Sequence, residues 1–406
     1  MLGQMRSRTA CPDGYRMMSG FSSVRTVGMV RRVASLVALC AVAAALLSGC
    51  SSIPENATAD SIRDFYLNEV GDPECAVVTE STIVGDPHRI FRVASLGKLY
   101  VHLALIRMAR RGEIDLDKSV RSVSKFDLPI EYEKVTLRDL IDGRSGLPRE
   151  FLNPWNPVAW HTALMCGLVG THIYEGFDSR EQFAPELTSH RTLSFLHAHE
   201  RQYSNVGFAL LVMCVEDETG RTIDDILQKE LVIPLGMEDT SFCPVGEARN
   251  RLTMPCAGKL PWLYRRGSQV PEHRLGNALR GMGSVFSSAA DVAKFINAYW
   301  EVVDAELSSR PIDDYADGEM CGMMNACRLK CGRVVLYRFG MIYGGNSFLA
   351  IDPKTRRFLG ILRNVTSWPA EEDFDIAGMY FRDRRTQSPY MAATPPKESA
   401  SGKGDM

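Results

Sequence analysis

The chain lacks an excess of either charge, an internal repeat, and an apolar run long enough to cross a bilayer in one pass. Each absence removes a class of function. Its 47 basic and 49 acidic side chains nearly cancel, so there is no blanket basicity suited to nucleic acid. Without a repeating unit, solenoids and propellers are excluded. Cysteine spacing of the zinc-site type is also missing: Cys321, Cys327 and Cys331 show no Cys-x-x-Cys pattern and no nearby histidine, so neither metal nor cofactor is expected. His197 and His199 read as part of a surface loop. What is present is a large apolar fraction, 45% of 406 residues, enough to bury a sizeable core and make a soluble globular enzyme the default class.

At the amino end, Arg31-Arg32 precede an uninterrupted apolar or small stretch, 33–47, which leads into Leu47-Ser48-Gly49-Cys50. A basic flank, a short apolar run and small residues before a cut read as an export signal over 29–49. The run is about 15 residues, short of the roughly 20 a spanning helix needs. Leu-Ser-Gly-Cys resembles a bacterial lipobox, which implies that Cys50 is acylated and anchors an extracytoplasmic lipoprotein to the membrane. An uncleaved anchor is the alternative, and it leaves the rest of the chain on the same side. Residues 1–28 add nothing such a signal needs, so Met29 is the expected start. Residues 50–59 read as a tether, 60–385 as the folded domain, and 386–406, rich in Pro, Ser, Gly and Lys, as a disordered tail. Of 11 cysteines, all but Cys11, Cys40 and Cys50 fall after the anchor, in a disulfide-permissive setting. Pairing among Cys321, Cys327 and Cys331 is the expectation there.

Periodicity places short strands at 74–80 and 89–94. A helix follows, with Leu96, Leu99, Leu103 and Ile106 on one face and Arg110-Arg111-Gly112 as its basic last turn and stop. Further helices are read at 135–140, 208–218, 223–231 and 290–301, then short strands at 333–336, 347–351 and 358–362. Strands at both ends with helices between give an α+β layout, an antiparallel sheet flanked by helices with a helical insert. The terminal parts share the sheet, and a cleft forms where sheet meets insert.

Ser95 and Lys98 lie where the second strand gives way to the first long helix. Side chains three apart share a helix face, so an amine can stand beside a hydroxyl. The tetrapeptide alone is weak: Ser122-Val123-Ser124-Lys125 matches it in a connector, and a serine before a helix is often just a cap. Context decides. Ser95-x-x-Lys98 is followed in order by Leu140-Ile141-Asp142-Gly143-Arg144-Ser145-Gly146-Leu147-Pro148, Gln202-Tyr203-Ser204-Asn205, Pro234-Leu235-Gly236-Met237, Gly283-Ser284-Val285-Phe286-Ser287-Ser288 and Tyr337-Arg338-Phe339-Gly340. From about Phe91 to Asn364 this series resembles the serine beta-lactamase-related family of class C beta-lactamases, D-alanyl-D-alanine carboxypeptidases and related esterases.

The resemblance implies a nucleophile at Ser95, a base or proton relay at Lys98, and a proton shuttle at Tyr203. Asn205 would bind the substrate amide and orient Lys98. The backbone amides of Ser95 and Met341 would hold the oxyanion. A serine hydroxyl needs such a neighbour to take its proton, and a lysine can do so only if burial or nearby positive charge lowers its pKa. Arg338, Phe339 and Gly340 stand where the family usually has Lys-Thr-Gly or His-x-Gly. The guanidinium keeps a charge suited to a carboxylate, while Phe339 loses a hydroxyl. These departures favour a peptidase or esterase over a dedicated beta-lactamase, with cell-wall peptides ending in D-alanine as the leading substrate class. A non-catalytic lipoprotein of the same fold that binds peptide or muropeptide is the second reading.

Overall fold

The computed structural model describes residues 57–72, 74–150, 179–189, 196, 201–254, 256–257, 277–342, 344–366 and 371–382. The chain divides into two units, 1–52 and 53–406, and every described residue belongs to the second. Cys50, the export signal, the tail at 386–406, Cys166, His197 and His199 lie outside the described residues. Among the described residues no helix is long and apolar enough to cross a membrane.

Helix α1 (Ala59–Asp64) opens the domain. Thr58 Oγ1 accepts the Ser61 N–H at 3.2 Å and Ser61 Oγ accepts the Thr58 N–H at 3.0 Å, a reciprocal capping box. The stretch read as a tether therefore ends at Thr58. Helix α2 (Gly97–Arg110) follows the first strands, α3 (Asn205–Thr219) and α4 (Ala289–Leu307) form the middle, and α5 (Glu371–Arg382) ends the described chain.

Eleven strands occur among the described residues: β1 (Cys75–Thr79), β2 (Ile83–Val84), β3 (Ile90–Arg92), β4 (Cys256–Ala257), β5 (Phe286–Ser288), β6 (Met320–Cys321), β7 (Met324–Arg328), β8 (Val334–Ile342), β9 (Gly345–Asp352), β10 (Arg357–Arg363) and β11 (Val365–Thr366). Seven of them form one antiparallel sheet in the order β2-β1-β10-β9-β8-β7-β6. Its centre joins the two ends of the domain, with Cys75 opposite Arg363 and Thr79 opposite Leu359.

Side chains alternate across this sheet, and both sets are buried. Ala76, Val78, Leu349, Ile351, Phe358 and Leu362 enter the large core with α2, α3 and α4. Cys75, Val77, Phe348, Ala350, Leu359 and Ile361 enter a second core with Ile62 and Tyr66 at the amino end and Ile376, Ala377, Tyr380 and Phe381 of α5. Arg363 crosses into that second layer, where Nη2 donates to Asp373 at 3.1 Å and to Asn346 at 2.5 Å, and Tyr66 O–H also donates to Asp373.

The same division explains the cysteines. Cys75, Cys214, Cys243, Cys256, Cys321, Cys327 and Cys331 are all free thiols, which corrects the expected pairing. Cys321 belongs to the large core, whereas Cys327 and Cys331 pack against the second one. Cys321 on β6 and Cys327 on β7 thus face opposite sides of the sheet.

Candidate active site

Strand β3 does not run straight into α2. Ala94 has φ +48°, a left-handed conformation that is uncommon for a residue with a Cβ. The next turn, Ala94–Leu96, is a 3-10 turn that makes no side-chain cap bond. Ser95 is therefore not a helix cap. Its side chain points instead into a gap closed by three other parts of the fold.

Lys98, one turn along α2, is fully buried. Its Nζ lies 3.1 Å from Ser95 Oγ and also donates to the Met282 carbonyl. Tyr203 Oη lies 2.9 Å from Ser95 Oγ and donates to Asn205 Oδ1 at 2.8 Å. Tyr203 and Asn205 come together at the start of α3 because Ser204 caps it, its Oγ accepting the Gly207 N–H at 2.7 Å. Capping and site construction are one arrangement here.

Positive charge collects beside this group. Arg338 on β8 is 5% exposed and holds its guanidinium 4.4 Å from the Tyr203 ring centre. Its Nη1 donates to the Met323 carbonyl at 3.1 Å, while Nε and Nη2 are buried with no hydrogen-bond partner. Burial lowers the Lys98 pKa; Tyr203 and Glu150 oppose the shift and Arg338 adds to it. For Tyr203 burial alone pushes upward, but the charges of Lys98 and Arg338 more than reverse it, and the phenol titrates below its ordinary value. A less basic amine and a more acidic phenol share one hydroxyl.

Gly340 brings β8 against the serine turn. A Cβ there would collide with the Val93 carbonyl oxygen and with Ser347 Oγ, and would stand 3.0 Å from the Leu96 nitrogen. Ser347 Oγ donates to the Val93 carbonyl at 2.8 Å, pinning β9 to the same turn. Strand β7 pairs with β8 only up to Tyr337, so the stretch containing Met341 borders the site without a partner from β7.

The resemblance implies substrate-binding places for Arg338, Phe339, Gly340 and Met341, and the structure corrects this for Phe339. Phe339 follows Arg338 on the strand, so its ring faces the opposite side and packs at 5.2–5.3 Å from the rings of Tyr337, Phe348 and Phe374. The alternation of β8 puts it in the second core. Phe339→Leu is expected to cost about 1 kcal/mol of stability and to leave the acylation rate unchanged. Chemical denaturation and single-turnover labelling of the same preparations check both halves.

His102, one turn beyond Lys98, is buried and pushed down to about 4 by that burial. Its Nδ1 lies 3.0 Å from Tyr299 Oη, so it is a neutral part of the helix packing. The second Ser-x-x-Lys is dispersed: Ser122 Oγ donates to the Ser119 carbonyl at 2.7 Å, and Lys125 is mostly exposed beside Asp217. Among the described residues no cluster of three or more His, Cys, Asp or Glu could hold a metal ion.

Two participants had no assigned role in the sequence reading. Arg149 lies with its guanidinium 5.5 Å from the Tyr203 ring centre, and Glu150 accepts from Asn205 Nδ2 at 2.9 and 3.1 Å. The signal available was their place directly after the Ser-Gly-Leu-Pro landmark. Nothing in that spacing tells that the loop returns to α3.

The family model described as Beta-lactamase matches residues 84–379, well over half the chain. The D-alanyl-D-alanine-carboxypeptidase/endopeptidase AmpH of Escherichia coli K12 is 23% identical over 297 residues, covering 67% of this chain and 70% of its own. The fold resembles that of a beta-lactamase/D-alanine carboxypeptidase from Yersinia pestis solved with citrate (TM-score 0.59, 16% identity, 83% of this chain and 99% of that one). It also resembles a class C beta-lactamase (TM-score 0.60, 14% identity, 80% and 96%). The chain belongs to the Beta-lactamase family of serine hydrolases.

Proposed function

We propose that this protein cleaves cell-wall peptides ending in D-alanine, or related amides and esters, through an acyl-enzyme on Ser95. The observation that carries the reading is the meeting of Lys98 Nζ and Tyr203 Oη at Ser95 Oγ, 3.1 and 2.9 Å from it. In the proposed step Ser95 Oγ attacks the scissile carbonyl carbon as its proton passes to the neutral Lys98 amine. The tetrahedral oxyanion is held by the backbone amides of Ser95 and Met341, donors of a kind worth roughly 3–4 kcal/mol each. Collapse breaks the bond to the leaving group, which takes a proton by way of Tyr203. Water then attacks the ester carbonyl and frees Ser95.

The substrate class is supported by charge. Arg338 offers two buried N–H groups without partners, and a peptide carboxylate would supply acceptors for both. The name of the Escherichia coli relative states the same chemistry for that protein. Lipid anchoring through Cys50 completes the proposal by holding the domain outside the cytoplasm and near its substrate. An alkyne fatty acid fed to cells should label the wild type and not Cys50→Ser; equal labelling of both removes the anchor.

A fluorescent penicillin and a fluorophosphonate serve as probes. Wild-type protein is expected to carry one adduct by intact mass, and Ser95→Ala none. Arg338→Ala should raise KM for carboxylate-terminated substrates about tenfold, the weight of a charge-assisted hydrogen bond, and leave neutral esters little affected. Labelling that persists in Ser95→Ala, or a folded wild type inert to every probe, would falsify the assignment.

A further inference from the structure

The stretch from Gly143 to Arg149, which contains the Ser-Gly-Leu-Pro landmark, is fastened to the start of α3 at three places. Gln202 N–H donates to the Gly143 carbonyl at 2.6 Å, Ser204 Oγ to the Pro148 carbonyl at 2.6 Å, and Asn205 N–H to the Arg149 carbonyl at 2.8 Å. These bonds bring the Glu150 carboxylate against the Asn205 amide, where both of its oxygens accept from Nδ2. A carboxylate only accepts, so the amide can meet it with its nitrogen and not with its oxygen. The network thereby fixes which way the amide points.

Asn205 Oδ1 then faces Tyr203, 2.8 Å from its hydroxyl. Two oxygens at that distance need a proton between them, and Oδ1 has none to give. The contact holds while Tyr203 is a phenol and becomes a repulsion between two acceptors if it is a phenolate.

We propose that Glu150 is a positioning residue which, by fixing the orientation of the Asn205 amide, keeps the proton on Tyr203 and so leaves Lys98 as the neutral partner that accepts the proton of Ser95. A lysine and a tyrosine this close can share one proton in two ways, amine with phenol or ammonium with phenolate. Anchoring the amide favours the first. The groups facing Tyr203 are Ser95 and Lys98 from the α2 end, Arg338 from β8, Arg149 and Glu150 from the loop, and Asn205 from its own helix. Arg338 and Arg149, and Lys98 when it carries the shared proton, pull toward the phenolate, and the Asn205–Glu150 arm opposes them. This role rests on the serine hydrolase reading above, but part of its test does not.

The test uses full-length protein carrying Glu150→Ala, Glu150→Gln, Asn205→Ala and the double change Glu150→Ala with Asn205→Ala. Phenolate absorbance is titrated in each background, and the Tyr203 contribution is isolated by subtracting the same protein with Tyr203→Phe. With the anchor gone, Glu150→Ala should ionise Tyr203 at lower pH and acylate about tenfold more slowly at saturating probe, with the apparent affinity for probe little changed. Glu150→Gln keeps an acceptor oxygen for Asn205 and should recover most of the rate. The double variant should be no slower than Asn205→Ala alone, because Glu150 acts through that amide.

An unchanged Tyr203 titration in Glu150→Ala, losses that add in the double variant, or no rescue by glutamine would each overturn the role. If the wild type is inert to every acylating probe, the hydrolase reading fails, and the Tyr203 titration still decides whether Glu150 holds the phenol proton.

Discussion

Lys98→Met is expected to slow acylation of Ser95 about a thousandfold, within the range of a lost general base, while the protein stays folded and becomes no less stable. Methionine keeps most of the lysine volume, so the large core is not opened. What disappears is an amine buried beside Arg338, with burial as the main cause of its lowered pKa. A group forced to titrate low in the native state is a cost to folding.

The sign of the pH dependence follows from that cost. In the unfolded chain the lysine keeps its proton up to about pH 10.4, whereas in the native state it loses it lower down. Between those two points the unfolded state binds more protons, so wild-type stability rises with pH across the window. Tyr203 also loses its proton below its ordinary value in the folded protein, and it acts in the same direction. The advantage of Lys98→Met over wild type should therefore be largest below the window and shrink as pH approaches about 10. Urea denaturation from pH 6 to 10, with acylation rates on the same samples, reads both effects. A variant that acylates at the wild-type rate, or a stability gap that widens with pH, contradicts the assignment of Lys98.

Gly340→Ala is expected to damage the site from behind. The added Cβ would press on the Val93 carbonyl and Ser347 Oγ, next to the Leu96 nitrogen. Two of these three atoms are backbone, flanking the turn that carries Ser95. The turn is already held at an uncommon φ by Ala94, so little freedom remains to absorb a shift. Overpacking of this kind costs about 2–3 kcal/mol, and a nucleophile moved by about 1 Å can lose about a hundredfold in rate. Gly332→Ala is the control: unlike Gly340 it has positive φ, +84°, but a Cβ there meets nothing within 4 Å. It should lose about 1 kcal/mol from backbone strain alone and acylate normally. Equal behaviour of the two variants would show that the close approach of β8 does not shape the site.

The parts of the fold legible in the sequence rest on strong local signals. The helix beginning after Ser95 has aliphatic residues at three- and four-residue spacing and ends before Gly112, and it spans Gly97–Arg110. The pairing of the amino and carboxy ends in one sheet followed from strands at both termini and is present as β1 against β10. The strands expected at 333–336, 347–351 and 358–362 extend further at one or both ends, while those expected at 74–80 and 89–94 are shorter, Cys75–Thr79 and Ile90–Arg92. β8 runs from Val334 through Ile342, past the Leu336 boundary taken from sequence. Its polar residue Arg338 is buried and its apolar neighbour Phe339 packs, partly buried, against the core on the other side. With both faces covered, polarity no longer reports strand continuity.

Helix α5 escaped notice for a related reason. Its acidic start, Glu371-Glu372-Asp373, resembles a surface segment, yet Asp373 is buried against Arg363 and Tyr66. A buried carboxylate is legible only once its partners are known, and one of these, Tyr66, lies 307 positions away. The cysteine pairing failed similarly: short spacing brought Cys321, Cys327 and Cys331 together on paper, and the sheet put Cys321 on the opposite face from the other two.

By itself the order of residues determined which chemical groups are available, because a hydroxyl and an amine three positions apart share a face wherever the backbone between them is helical. It determined as well that a tyrosine and an asparagine flank a helix start, where a serine between them would cap it. Tertiary structure alone decided which of these groups meet and in what state. The Tyr203 oxygen reaches Ser95 across 108 positions of sequence, the burial and charge that loosen the proton of Lys98 come largely from other segments, and the amide of Asn205 takes its direction from a carboxylate on a separate loop. Protonation and hydrogen-bond direction are set by surroundings assembled from distant segments, and a linear pattern carries no measure of that distance.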